Sequence, residues 1–336
     1  MKCVKVPLRQ LNDTRIILME NQQMNMEYRI KAEKDFGYIP VNDDIEGYEI
    51  IDIELEPMKQ YPKNFAELLK DELTLEEIED LRTSFDTIGD IVILEIPEDL
   101  QDKKIKIGDA ALEFTKRRSI YMKKSAIKGT TRIRDLEFLS GINNPVTIHK
   151  EHQARLKLDV SKVYFSPRLA TERKRVMESV EDGERILDMF CGIGPFPIVI
   201  AKNKNVEITA VDINDVAIDY LNENIKLNKL KGTITAISGD INEVSKNLNC
   251  KFDRIIMNLP GLAYSFLGLA VDLIENDGII NYYEFSDSYE QGIKRLKDAC
   301  HEKNKTVEII NTRKVKSTSP GEWHIAIDGK IKTNIK

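Results

Sequence analysis

The segment Asp188-Met-Phe190-Cys-Gly192-Ile-Gly194-Pro-Phe196 follows the apolar run Arg185–Phe190 and leads into a stretch of helical pattern, Phe196–Lys202. Glycines at 192 and 194 let a backbone turn sharply and approach a ligand closely. A dinucleotide loop would read G-x-G-x-x-G, whereas Pro197 stands here at the third position and an acid leads the loop. A carboxylate at the mouth repels pyrophosphate and suits a cationic ligand, such as a sulfonium or its amino group. Asp212 ends the next apolar run, 24 residues on, where an acid can accept hydrogen bonds from both ribose hydroxyls. Asp240 ends the third run and could accept from an adenine amino group. Singly, each acid also reads as a cap or turn residue. At successive strand ends, with Phe190, Ile213 and Ile241 beside them, they point to a pocket for S-adenosylmethionine.

The elements that must position these residues alternate from about residue 160 onward. Apolar runs recur at Arg185–Phe190, Ile208–Val211, Thr233–Ser238, Arg254–Met257 and Gly278–Tyr283, and helical stretches lie between them at Phe196–Lys202, Asp215–Leu227, Asn242–Asn247 and Tyr264–Ile274. That rhythm predicts an α/β fold, a doubly wound and mostly parallel Rossmann-like sheet with helices on both faces. The fourth run ends in Asn258-Leu259-Pro260-Gly261. This is similar to the Asn/Asp-Pro-Pro-aromatic motif of methyltransferases that modify base nitrogens. The Asn carbonyl can accept from the target and proline stiffens the loop that holds it. Gly261 replaces the stacking aromatic, which counts against adenine and exocyclic-amine targets.

Upstream, a helix near Leu8–Gln22 and extended segments Tyr28–Pro40 and Tyr48–Leu55 predict a small α+β domain over 1–60, closed by Pro57, Tyr61 and Pro62. Helices at Asn64–Leu69, Leu75–Thr83 and Lys103–Thr115, a strand at Ile91–Ile96 and extended segments from Ile120 to Leu158 predict a second α+β domain over 61–157. The catalytic domain is then expected over 158–336.

With 41% hydrophobic and 32% charged residues, the 336-residue chain reads as globular. No apolar run approaches the roughly 18–20 residues that span a bilayer, and the N-terminus lacks the apolar core of a signal peptide. Four scattered cysteines without a Cys-x-x-Cys pair make zinc or a disulfide framework unexpected, so no metal site is predicted and a cytoplasmic setting fits. The net charge of −6 is unevenly spread. Residues 43–56 are acidic, whereas Lys116 to Arg134 holds eight basic residues and no acid. Phosphate contacts depend on local field, so Lys116, Arg117, Arg118, Lys123, Lys124, Lys128 and Arg134 are candidate RNA contacts, with a solvated face as the alternative. Arg313, Lys314 and Lys316 form a second, smaller cluster.

Thr131-Arg132-Ile-Arg134-Asp-Leu-Glu137, Thr147-Ile-His-Lys150-Glu151, Val163-Tyr164-Phe-Ser-Pro-Arg168-Leu-Ala-Thr-Glu172-Arg173, the 188–196 loop and Asn258-Leu-Pro260 form an ordered series. It closely resembles the archaeal and eukaryotic tRNA (guanine-N1-)-methyltransferases that act at position 37, beside the anticodon. The resemblance implies an N-terminal domain that checks the tRNA outer corner, a middle RNA-binding domain, and contact with the anticodon stem-loop by a monomer. It assigns Glu172 as the base that takes the proton from N1, which is needed because that nitrogen is a poor nucleophile at neutral pH. Arg132 would stabilise charge on O6, with Arg134 as competitor. Tyr164 would position the flipped base, and Pro260 would keep Asn258 on the target. Arg168 and Arg173 would neutralise the cofactor carboxylate or bind RNA phosphates, in an order that spacing cannot assign. An enzyme acting on the tricyclic guanine derivatives made later at that position, by methyl or aminocarboxypropyl transfer, is the alternative within the same branch. A non-catalytic RNA-binding module is the distant one.

Overall fold

The computed structural model describes residues 1–59, 61–124 and 135–333. The chain divides into two compact units, Met1–Lys63 and Asn64–Lys336. In the first, among the described residues, β1 (Lys2–Pro7), β2 (Lys31–Glu33), β3 (Phe36–Pro40) and β4 (Glu49–Asp52) form an antiparallel sheet in the order β2-β3-β1-β4. Helix α1 (Leu11–Glu20) lays Leu18 on Val4, Val6, Ile39 and Val41, a small core that suits so short a unit.

The second unit opens with a short 3-10 helix over Phe65–Leu69, followed by α2 (Leu75–Asp80), started by a reciprocal cap between Thr74 and Glu77. Strands β5 (Asp86–Ile88), β6 (Ile91–Leu94), β7 (Ser119–Lys123) and β8 (Leu136–Gly141) then make a sheet in chain order, with α3 (Lys104–Thr115) across one face. Strand β6 reads Ile-Val-Ile-Leu and is buried throughout, the pattern of a strand covered on both sides. Val92 and Leu94 face α3, while Ile91 and Ile93 join the core of the elements that follow. The sheet is therefore continuous in packing with the rest of its unit.

A hairpin of β9 (Val146–Glu151) and β10 (Ala154–Asp159) leads to α4 (Ala170–Ser179). Alternation follows, through β11 (Arg185–Asp188), α5 (Pro195–Asn203), β12 (Glu207–Asp212), α6 (Asp215–Leu227), β13 (Thr233–Ser238), α7 (Ile241–Val244), β14 (Phe252–Met257), α8 (Leu267–Leu273), β15 (Ile274–Ser286) and α9 (Glu290–Glu302). The chain closes with β16 (Lys305–Ser319) and β17 (Glu322–Thr333). The sheet order is β13-β12-β11-β14-β15-β17-β16, parallel from β13 to β15 and antiparallel for the last two pairings. Strand order reverses between β11 and β14, which opens a crevice at their carboxyl ends.

The predicted parallel runs all appear, and Asp215–Leu227 is a helix over those bounds because Asn214 caps it, accepting from the amides of Val216 and Ala217. The run expected at Gly278–Tyr283 is longer at both ends, since β17 pairs along it from Ile279 to Ser286. Helix α6 also holds the hairpin. Asn224 and Asn228, one turn apart, present their carboxamides to the edge of β10. Asn224 accepts from the Lys157 amide at 2.7 Å and donates to the carbonyls of Lys157 and Ile193, both at 3.1 Å. Asn228 repeats the pair on Arg155, at 3.0 and 2.8 Å.

Candidate active site

A cavity of 190 Å³ lies at the carboxyl ends of β11 to β14. Of the residues expected to bind a cofactor, Phe190, Gly192, Asp212, Ile213, Asp240, Ile241, Asn258 and Arg173 line it, as does Tyr164. Gly192 and Gly194 both have left-handed backbones, at φ +53° and +80°. A Cβ at Gly194 would lie 2.2 Å from Leu221 Cδ1, so the loop needs glycine there for conformation and for room. Asp212 ties the loop to the end of β12: its carboxylate accepts from the Gly192 amide at 2.6 Å and the Asn214 amide at 2.9 Å. Burial raises its carboxyl above the usual range. Asp240 is exposed and caps α7 through the Asn242 amide at 2.8 Å. Phe190 meets Phe266 edge-on, with ring centres 5.1 Å apart.

Asp188 departs from expectation. It does not line the cavity but is 1% exposed beneath the loop, accepting from the Phe190 amide at 3.2 Å. Burial pushes its carboxyl up to about 8, and nearby Asp212 adds to the shift. The reason is local: β11 carries Asp188 inward at its last residue, and the loop closes over it. Cys191 is held well above its ordinary range, by burial first and then by these two acids, so its thiol is inert.

Asn258 sits where β14 meets the cavity. Its Oδ1 is buried and has no hydrogen-bond partner among the described residues. Pro260 lies outside the lining; its carbonyl accepts from the Phe285 amide at 3.3 Å, anchoring the loop to β15. Arg173 is 1% exposed and donates to Glu151 through Nε and Nη2, at 2.5 and 2.6 Å, and to the Ser166 carbonyl through Nη2 at 3.1 Å. Burial alone would raise the Glu151 carboxyl, but bonds from His149 and Arg173 hold it below the usual range. Arg173 is thus buried and paired at the cavity wall rather than presented at the surface. Arg168 is exposed and bonds Asp86 at 2.6 Å.

Glu172 is also 1% exposed and lies behind the cavity rather than on its lining. It accepts from the Tyr283 hydroxyl at 2.7 Å, and the Tyr283 ring lies 6.2 Å from that of Phe196, which does line it. Its partners Arg175, Arg313 and Tyr283 were not among the predicted residues. Spacing could have suggested Arg175, one turn after Glu172; Arg313 stood out only as part of a basic cluster, and nothing local marks Tyr283.

A second cavity, of 410 Å³, includes Asp86, Glu95, Lys123, Arg168, Phe285 and Lys316 in its lining. Tyr164, Phe165 and Ser166 border both cavities and form their common wall. Of the candidate RNA contacts, Lys116 and Arg117 are exposed, and Lys124 is exposed beside Glu137 at 3.5 Å. Lys123 faces Asp86 and Glu95 instead, at 3.8 and 3.5 Å. Arg118 is spent on structure, bonding Asp90 and the carbonyls of Asn144 and Val146. Lys128, Arg132 and Arg134 lie outside the described residues.

A parallel sheet with a reversed final strand pair, a glycine loop after β11 and acids ending β12 and following β13 define a Rossmann-like methyltransferase domain. Residues 147–310 match the TRM5/TYW2 methyltransferase domain, residues 65–144 the TYW2 N-terminal domain, and residues 3–49 the tRNA methyltransferase 5 N-terminal domain. The chain belongs to the TRM5/TYW2 methyltransferase family. It is 42% identical to the tRNA (guanine(37)-N(1))-methyltransferase Trm5b of Pyrococcus abyssi over 98% of each chain. The crystal structure of Trm5b from Pyrococcus abyssi superposes with a TM-score of 0.85 at 40% identity, over 99% of each chain. A complex of aTrm5 with tRNALeu superposes with a TM-score of 0.79 at 37% identity, over 99% of this chain and 100% of that one.

Proposed function

We propose that this enzyme transfers a methyl group from S-adenosylmethionine to N1 of guanosine 37 in tRNA. The observation that carries the reading is the buried, unpartnered Asn258 Oδ1 on the cavity wall. An orphaned buried acceptor costs about 1–3 kcal/mol, and guanine offers donors at N1 and the 2-amino group to offset it. The donor set also fits the cofactor. Asp212 would hold the ribose hydroxyls, Ile213 and Ile241 would flank the adenine, and Asp240 would accept from its amino group. When bound, S-adenosylmethionine supplies a methyl group on a positively charged sulfur.

The chain's own residues then do three things. Tyr164, on the wall between the cavities, holds the extruded base against the cavity. Asn258, fixed by the Pro260 anchor, accepts from the guanine edge. Glu172, behind the cavity lining in the free enzyme, comes within hydrogen-bond reach of the base in the complex and takes the N1 proton as the new N–C bond forms, so that the base ends neutral and the sulfur leaves as a thioether. Arg132 stabilises the charge that builds on O6. The unit of residues 1–63 contacts the tRNA outer corner, and the exposed Lys116 and Arg117 contact its backbone near the anticodon stem-loop. The chain acts as a monomer. Incubation with unmodified tRNA and labelled cofactor, followed by mass spectrometry of the nucleosides, tests the reading. One-methylguanosine at position 37 is expected, and its absence, or methylation only of a tRNA carrying the tricyclic base, would overturn it.

A further inference from the structure

The charges gathered around Glu172 go beyond what a proton acceptor alone requires. One turn along α4, the Arg175 guanidinium donates to Glu172 Oε1 at 2.7 Å through Nη2 and to Oε2 at 3.1 Å through Nε. The same guanidinium reaches across to β17, to Asp328 at 2.5 and 3.2 Å. Asp328 is 3% exposed and is itself fixed by Asn281 from β15 at 2.7 Å and Asn311 from β16 at 3.1 Å. The other groups that face Glu172 are the Tyr283 hydroxyl from β15 and Arg313 Nε from β16, the latter at 3.4 Å. His324 on β17 meets the Tyr283 ring edge-on with centres 5.4 Å apart. Arg313 is the looser of the two cations: it is a third exposed and makes one longer contact.

A carboxylate buried this deeply keeps one orientation only if its oxygens are bonded from more than one side. We infer that Arg175, shared between Glu172 and Asp328, is a positioning residue that holds the Glu172 carboxylate in the orientation from which it takes the proton. This rests on Glu172 being the proton acceptor. Burial works against the Arg175 charge, but bonds to the two carboxylates more than offset it and raise its pKa, so the guanidinium stays charged while its neighbour changes state.

The test compares Arg175→Ala, Arg175→Lys and Glu172→Gln in the full-length enzyme. Single-turnover methyl transfer to tRNA is followed, with tRNA and cofactor affinities measured alongside. Arg175→Ala should slow transfer by about 10²-fold or more near neutrality, the usual scale of a lost general base, with affinities little changed. The loss should fall on the transfer step rather than on binding, and Arg175→Lys should recover part of the rate. A loss that lysine does not recover, or one matched by an equal loss of tRNA or cofactor affinity, would show a packing role and overturn the inference. So would an Arg175→Ala rate equal to the parent's while Glu172→Gln is slow. If Glu172→Gln itself matches the parent, the base assignment fails first and the positioning role fails with it.

Discussion

Replacing Asn224 by alanine tests how α6 supports the cofactor loop. Asn224 is fully buried and satisfies three backbone groups at once, the amide and carbonyl of Lys157 and the carbonyl of Ile193. Each such group left unpaired costs about 1–3 kcal/mol, and partial access of water to the β10 edge favours the low end, so the total is about 3 kcal/mol. For a unit of this size each kcal/mol lowers the melting temperature by about 2–4 °C, giving a fall of roughly 6–12 °C. Asn228→Ala is the control. It removes the same pair of bonds from Arg155, but half-exposed, where water replaces them and the cost stays under about 1 kcal/mol. Thermal unfolding followed by circular dichroism measures both. Since Ile193 lies between the two loop glycines, Asn224→Ala should also weaken binding of the demethylated cofactor product in a calorimetric titration. Equal melting shifts for the two variants would refute the reasoning, because burial would then not be what separates them.

Asn258→Ala should lower the rate of methyl transfer roughly 10–100-fold while leaving the tRNA KM near the parent's, as expected for a contact aimed at the reacting base; a change confined to KM would place Asn258 in tRNA docking instead. Asp188, with its carboxyl pushed up to about 8, is mostly protonated at neutral pH. Its folded pKa is above the unfolded value, so its contribution to stability is full in acid and is lost as pH rises toward about 8. A cationic ligand in the cavity favours the ionised form, so cofactor binding near neutrality should release protons, seen as a dependence of the calorimetric heat on buffer ionisation enthalpy, and Asp188→Asn should abolish that release. Replacing Lys116 and Arg117 by alanine should flatten the salt dependence of tRNA binding by about one unit of slope per residue, whereas Arg118→Ala should cost folding stability with little change in slope.

The parallel half of the catalytic sheet was legible because its strands are short apolar runs and its helices carry their own caps, as Asn214 does for α6. The glycine loop and Asp212 were legible for the same reason: their geometry is set within a few residues. The last two strands were not. Strand β16 lies at the sheet edge and is largely solvated, so its residues up to Lys316 read as a basic surface cluster rather than a strand. The hairpin turns at Pro320-Gly321, with Gly321 at φ +80°. What that hairpin brings to the site was invisible for a stronger reason. Arg175 and Asp328 are 153 positions apart, and their meeting depends on α4 packing over β17, a relation no window along the chain contains. Asp188 shows the opposite error. Its place at the loop was correct, yet the direction of its side chain depends on how the loop closes, which spacing does not encode.

The wall of Tyr164, Phe165 and Ser166 belongs to both cavities at once. Two ligands seated against one partition are coupled to the extent that its position differs between their bound and free states. Whatever free energy one of them spends or recovers in shifting that partition is felt by the other, and the factor by which each alters the other's affinity must be the same in either order. The enzyme's preference for a loaded or an empty donor site when it meets RNA, and its readiness to release RNA once the methyl group has gone, are then one thermodynamic quantity seen from two sides.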